Sequence, residues 1–70
     1  MFIEEVDSSC IKSVACDQEE GKMWLRFKSG DLYEYQGVDL QVAKDLAEAE
    51  SVGKYFQENI KNKYECNKVG

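Results

Sequence analysis

Seventy residues make one domain at most, and a chain this short buries only about 60% of its unfolded surface, so its core is thin. Hydrophobic residues at 43% and charged residues at 33% exclude disorder. A net charge of −5, with no histidine, weighs against phosphate binding and removes the commonest general base and metal ligand.

Residues 1–7 read as a lead-in in which Phe2, Ile3 and Val6 can add a short strand or pack over an edge. They lack the basic-then-apolar layout of a signal peptide, and no apolar run reaches the roughly 18 residues of a membrane span. The expected compartment is the cytoplasm. Three cysteines, an odd number, fit reduced thiols better than a disulfide framework.

"CIKSVACD" predicts the first strand, and "DQEEG" a polar turn closed by Gly21. "KMWLRFK" alternates, with Met23, Leu25 and Phe27 on one face and Lys22, Trp24, Arg26 and Lys28 on the other, which predicts a half-buried strand. "DLYEYQ" predicts the third. The turn between them decides which way two tyrosines point. A two-residue Ser29-Gly30 loop suits the primed turns poorly, because serine is unfavourable at their first position. A three-residue Lys28-Ser29-Gly30 loop puts glycine in the left-handed position of a type I turn with a bulge. Leu25 then faces Tyr33 and Met23 faces Tyr35, so both tyrosines join the apolar face; a one-residue slip would expose them.

After Gly37 the period changes from two to about four. Val38, Val42, Leu46 and Ala49 predict an amphipathic helix with Asp39 at its start, and Val52, Phe56, Ile60 and Tyr64 predict a second, with Ser51 as N-cap. Gly53 costs helix propensity and is expected where two backbones approach closely. Residues 65–70 are expected to fray. The predicted architecture is α+β: a three-stranded antiparallel β-meander followed by two α-helices packed on one face. The core is expected to hold Ile11, Val14, Met23, Leu25, Phe27, Tyr33, Tyr35, Val42, Leu46, Phe56 and Ile60.

The order and spacing of "VDSSCI", "FKSG", "YEY", the Gly-Val before the first helix and "AESVGKYF", together with Ile60 and Tyr64, resemble the KTSC domain family over Val6 to Tyr64. That family takes its name from the C-terminal region of some lysyl-tRNA synthetases and also occurs as stand-alone bacterial and phage proteins. The resemblance implies mainly structural roles for Gly30, Tyr33, Tyr35, Ser51, Gly53, Tyr55 and Phe56. It implies no established activity; RNA binding is suggested only by the synthetase context. Asp39 stands where the family commonly has proline, Gln57 where it has asparagine, and Cys16 where it has an aromatic residue.

No constellation reads as catalytic. Cys10, Cys16 and Cys66 lack metal-site spacing, and the acidic pairs Glu4-Glu5 and Glu19-Glu20 lie in polar segments. No cofactor or metal is expected. The function expected is that of a non-catalytic interaction module with a protein partner, no membrane, and a dimer through an edge strand allowed. The alternative is single-stranded RNA binding through Trp24, Arg26 and Lys28 with the late lysines Lys54 and Lys61, where bases stack on a ring and cations meet phosphates.

Overall fold

The computed structural model describes residues 1–70. Its sheet has five antiparallel strands in sequence order: β1 (Phe2–Glu5), β2 (Ile11–Asp17), β3 (Lys22–Phe27), β4 (Leu32–Gln36) and β5 (Cys66–Lys68). Between β4 and β5 come α1 (Leu40–Glu48) and α2 (Val52–Tyr55), and α2 runs directly into a π-helical segment, Phe56–Ile60. The β1–β4 meander follows from short polar turns, since neighbouring strands joined by a few residues pair with each other, whereas β5 returns to the β4 edge only after the helices.

The β3–β4 hairpin has the register set by the three-residue loop. Leu25 lies opposite Tyr33 and Met23 opposite Tyr35. Gly30 has φ +99°, its N–H reaches the Phe27 carbonyl, and the Phe27 N–H reaches that of Asp31 at 2.9 Å. In β2 the pairing with β3 shifts between Ile11 and Ser13, so Lys12 is the extra residue of a bulge.

One sheet face is covered by helices. Ile11, Val14, Cys16, Met23 and Leu25 are fully buried there with Leu46 and Ile60, while Tyr35 and Phe56 are nearly so. Phe27, Tyr33 and Val42 pack only partly buried against this core.

Four expectations need correction. The sheet has five strands, not three: of the two alternatives for the lead-in the short strand holds, as β1 against β2, and the tail does not fray but pairs as β5 with Tyr33, Glu34 and Tyr35. In α1 the buried residues are Ala43, Leu46 and Ala47, so the helix presents small side chains to the sheet and Val42 sits at the flank. The second helix widens into π winding at Phe56, closed by the Lys61 N–H on the Phe56 carbonyl at 2.8 Å. Finally, Gly53 faces side chains rather than backbone.

A methyl group at Gly53 would lie 3.5 Å from Cys10 Sγ and 3.7 Å from Ser8 Oγ, which is ordinary contact. Gly53→Ala is therefore expected to stabilise the fold by roughly 0.5–1 kcal/mol through helix propensity. Urea midpoints of the variant and parent test this; a lower midpoint in the variant would mean the Ser8–Cys10 wall cannot accept the methyl.

Candidate functional site

Placed on the structure, the Trp24 face is the uncovered side of the sheet. Trp24 is half-buried there, opposite Ala15 on β2 and Glu34 on β4. Its indole N–H donates to Glu34 Oε2 at 3.2 Å. The other Glu34 oxygen accepts from Gln36 and lies 3.8 Å from Lys22 Nζ. Arg26 turns along the hairpin and donates to the Gly30 carbonyl at 2.8 Å. The ring and Lys22 are thus engaged around a carboxylate while Arg26 is held by a backbone carbonyl, the opposite of the electropositive platform that nucleic acid needs.

The remaining lysines do not join that face. Lys28 is exposed at the turn, Lys54 stands on α2, and Lys61 follows the π-helical segment. The structure therefore unites Trp24 with Arg26 and separates Lys54 and Lys61 from them.

The residues quoted for the family resemblance gather in two other places. One is a polar cleft where Ser8 to Cys10 meet Ser51 to Lys54. Ser8 Oγ, in a buried residue, accepts from the Cys10 and Ile11 N–H groups at 3.3 and 3.4 Å, and Ser51 Oγ accepts from the Lys54 N–H at 3.3 Å. These bonds satisfy backbone donors at a chain bend and a helix start, so the polar cleft is accounted for by local structure.

The other is an aromatic cleft of about 400 Å³ where the sheet extends beyond the cover of the helices. Its walls are Phe27, Tyr33 and Tyr35 on the sheet and Phe56 on the π-helical segment. The rings meet edge to face. Phe27 stands 5.6 Å from Tyr33 and 5.7 Å from Phe56, and Tyr35 stands 6.3 Å from Phe56, geometry that suits the ring quadrupoles. The π winding at Phe56 sets that ring against both neighbours, and π-bulges recur at functional sites.

Polar groups edge this cleft. Asp31 is already engaged: Ser29 Oγ donates to one oxygen at 3.2 Å and Lys68 Nζ lies 3.3 Å from the other. Lys61 enters neither of the protein's two ion pairs. Tyr35 is 5% exposed, and none of the protein's side-chain hydrogen bonds uses its hydroxyl. Since no fully buried side-chain oxygen lacks a partner, that hydroxyl keeps some access to solvent, and Tyr35 is a wall of the cleft. Burial pushes its pKa up to about 12, with Cys66 and Tyr33 adding to the shift, so it is a protonated donor at neutral pH.

Sequence reasoning placed Tyr33, Tyr35, Phe27 and Phe56 as core. It did not anticipate that they line an opening, nor that Asn62 and Cys66 border it. The signal for Asn62 is slight: asparagine tolerates the left-handed φ of +65° that ends the π-helical segment. Cys66 carried no signal, because β5 is polar and exposed.

Chemistry is sparse elsewhere. No three His, Cys, Asp or Glu side chains converge to hold a metal. The Cys16 thiol is shifted upward by burial, then by Asp17 and Asp39, which leaves it protonated and a weak nucleophile. No helix is long and apolar enough to cross a membrane.

Comparison with known proteins adds a lineage. The sequence profile of the KTSC domain matches residues 7–64. An uncharacterised protein of Stutzerimonas stutzeri is 36% identical over 56 residues, covering 80% of this chain and 79% of its own length. A lysine–tRNA ligase of Nostoc punctiforme is 36% identical over 63 residues, covering 90% of this chain but 11% of the ligase. The crystal structure of a KTSC domain protein from Yersinia pestis superposes with a TM-score of 0.91 at 30% identity, over 99% of this chain and 97% of that one.

Proposed function

The chain belongs to the KTSC domain family, and from that membership we propose that it acts as a small non-catalytic interaction module whose partner is a protein, docked at the aromatic cleft. One observation carries the reading: four aromatic side chains of the β3–β4 hairpin and the π-helical segment line a cleft that the helices leave open. Aromatic side chains grouped around a pocket are the usual anchors of a binding surface. The absence of histidine, the protonated Cys16 and the lack of a converging metal-ligand set support a module without catalysis. Three cysteines without a disulfide suit a reducing setting such as the cytoplasm.

A second reading has one observation in its favour. Relatives named lysine–tRNA ligases carry a similar segment, so an RNA partner on the Trp24 face is the rival. Glu34, clasped by Trp24 and Lys22 at the middle of that face, argues against it.

The two separate in a pull-down from cytosol with and without nuclease, using the parent, Tyr33→Ala and the double variant Trp24→Ala/Arg26→Ala. Circular dichroism verifies that each is folded. The expected result is a nuclease-resistant protein partner, retained by the double variant and lost by at least about tenfold with Tyr33→Ala, as for an interface hot spot. Retention of RNA that collapses with salt and with the double variant alone would overturn the protein reading.

A further inference from the structure

We propose that the β4 edge is a strand-exchange site, where an extended segment of the partner protein takes the place of β5. The incoming strand carries a large apolar side chain at the position of Cys66 and a basic one at the position of Lys68. This rests on the reading of the aromatic cleft as a protein-docking site and adds the form and chemistry of what docks.

A strand already lies beside the cleft, and it is loosely held. Cys66 and Lys68 stand opposite Tyr35 and Tyr33, so their side chains share the tyrosines' face of the sheet. Cys66 borders the cleft, yet its short side chain leaves that space open. All three β5 residues are exposed, and the strand packs chiefly on β4. Backbone bonds hold it there. The Leu32 N–H donates to the Gly70 carbonyl at 3.1 Å, the Gln36 N–H to the Glu65 carbonyl at 2.9 Å, and the Val69 N–H to the Leu32 carbonyl at 2.8 Å. Such bonds carry no side-chain preference, so another extended chain can make the same set. The polar side-chain tie is the Lys68–Asp31 pair, 3.3 Å apart and half-exposed, which is a weak kind of ion pair and open to any cation at that position.

The edge therefore selects through two side chains, two residues apart. A ring or long aliphatic group where Cys66 stands buries apolar surface against the aromatic walls. A lysine or arginine two residues on keeps the Asp31 contact. Pairing on the outer edge of β5 would instead set the incoming chain one strand spacing, about 4.8 Å, further from those walls. The tail is the competitor. Residues 61–65 tether β5 to the π-helical segment, and so short a tether holds it at an effective concentration on the order of millimolar. β5 thus guards the edge against unspecific pairing and gives way to a strand that fills the cleft.

The test titrates a peptide of this chain's residues 62–70 carrying Cys66→Phe into the isotope-labelled full chain, followed by NMR. The unsubstituted peptide and one carrying both Cys66→Phe and Lys68→Glu serve as controls. The Cys66→Phe peptide is expected to move the protein's own 66–68 amides to the positions of an unpaired chain while Tyr33 to Tyr35 stay paired. It is expected to bind at least about tenfold more tightly than either control. The full chain carrying Cys66→Phe is expected to fill its own cleft, to unfold at a higher urea concentration than the parent and to bind that peptide at least about tenfold more weakly. A lower urea midpoint in that variant would mean that the cleft does not accept the ring, and would overturn the assignment. So would 66–68 amides that stay paired in the bound state, equal affinity for the Lys68→Glu control, or no binding of any peptide. The docking reading is judged separately. A cytosolic partner released by Tyr33→Ala but retained by the Cys66→Phe chain would leave the docking site standing and overturn strand exchange.

Discussion

Phe56→Ala is expected to bring the domain close to complete unfolding. Phe56 is 8% exposed and touches Phe27 and Tyr35 edge to face, so it joins the π-helical segment to β3 and β4. Truncating a buried phenylalanine to alanine costs about 3–5 kcal/mol, combining lost transfer energy with a cavity. A domain of this length has total stability of only about 3.5–10 kcal/mol at the usual value per residue. A loss of that size takes most of the margin. Phe56→Leu keeps most of the volume and is expected to cost no more than about 1.5 kcal/mol. Urea unfolding followed by circular dichroism measures both. If Phe56→Ala stays within about 1 kcal/mol of the parent, the ring does not anchor the π-helical segment and the site argument built on it fails.

Alkaline pH is expected to destabilise the domain through Tyr35. The phenol ionises at about 12 in the folded protein and near its ordinary 10.0 when unfolded. Below pH 10 both states hold the proton, and this group adds no pH dependence. Between 10 and 12 the unfolded chain gives up its proton while the folded one must keep it, so stability falls as pH rises. Two pH units correspond to a loss on the order of 2 kcal/mol. The informative quantity is the difference between parent and Tyr35→Phe, which isolates this hydroxyl. The drop in urea midpoint from pH 9 to pH 11.5 is expected to be larger in the parent. Parallel drops would mean that the hydroxyl is well solvated and that burial does not raise its pKa.

This variant also bears on the cleft. Because the Tyr35 hydroxyl makes no bond within the protein, Tyr35→Phe is expected to fold normally at neutral pH. A change in ligand affinity in that variant then reports on the site rather than on the scaffold, which is unusual for a residue so deeply buried.

The sequence by itself determined the α+β class, the β3–β4 register and most of the core. Each of these rests on side-chain chemistry that repeats along the chain. Gly30 accepts a left-handed φ that serine resists, which sets the loop at three residues and turns Tyr33 and Tyr35 inward. Alternation in β3 and the four-residue spacing of Val52, Phe56 and Ile60 name the buried faces directly.

Only the tertiary structure decided the rest. β1 contains Glu4 and Glu5, β5 is Cys-Asn-Lys, and neither has the periodicity of a strand. They join the sheet because the edges of β2 and β4 present backbone donors and acceptors to whatever chain passes, an attraction indifferent to side chains. The face of α1 was set by how closely Ala43 and Ala47 let it approach the strands, not by its largest residues. The aromatic cleft arose from both effects. β4 and β5 widen the sheet beyond what two short helices cover, and residues spaced for a core are left lining an opening.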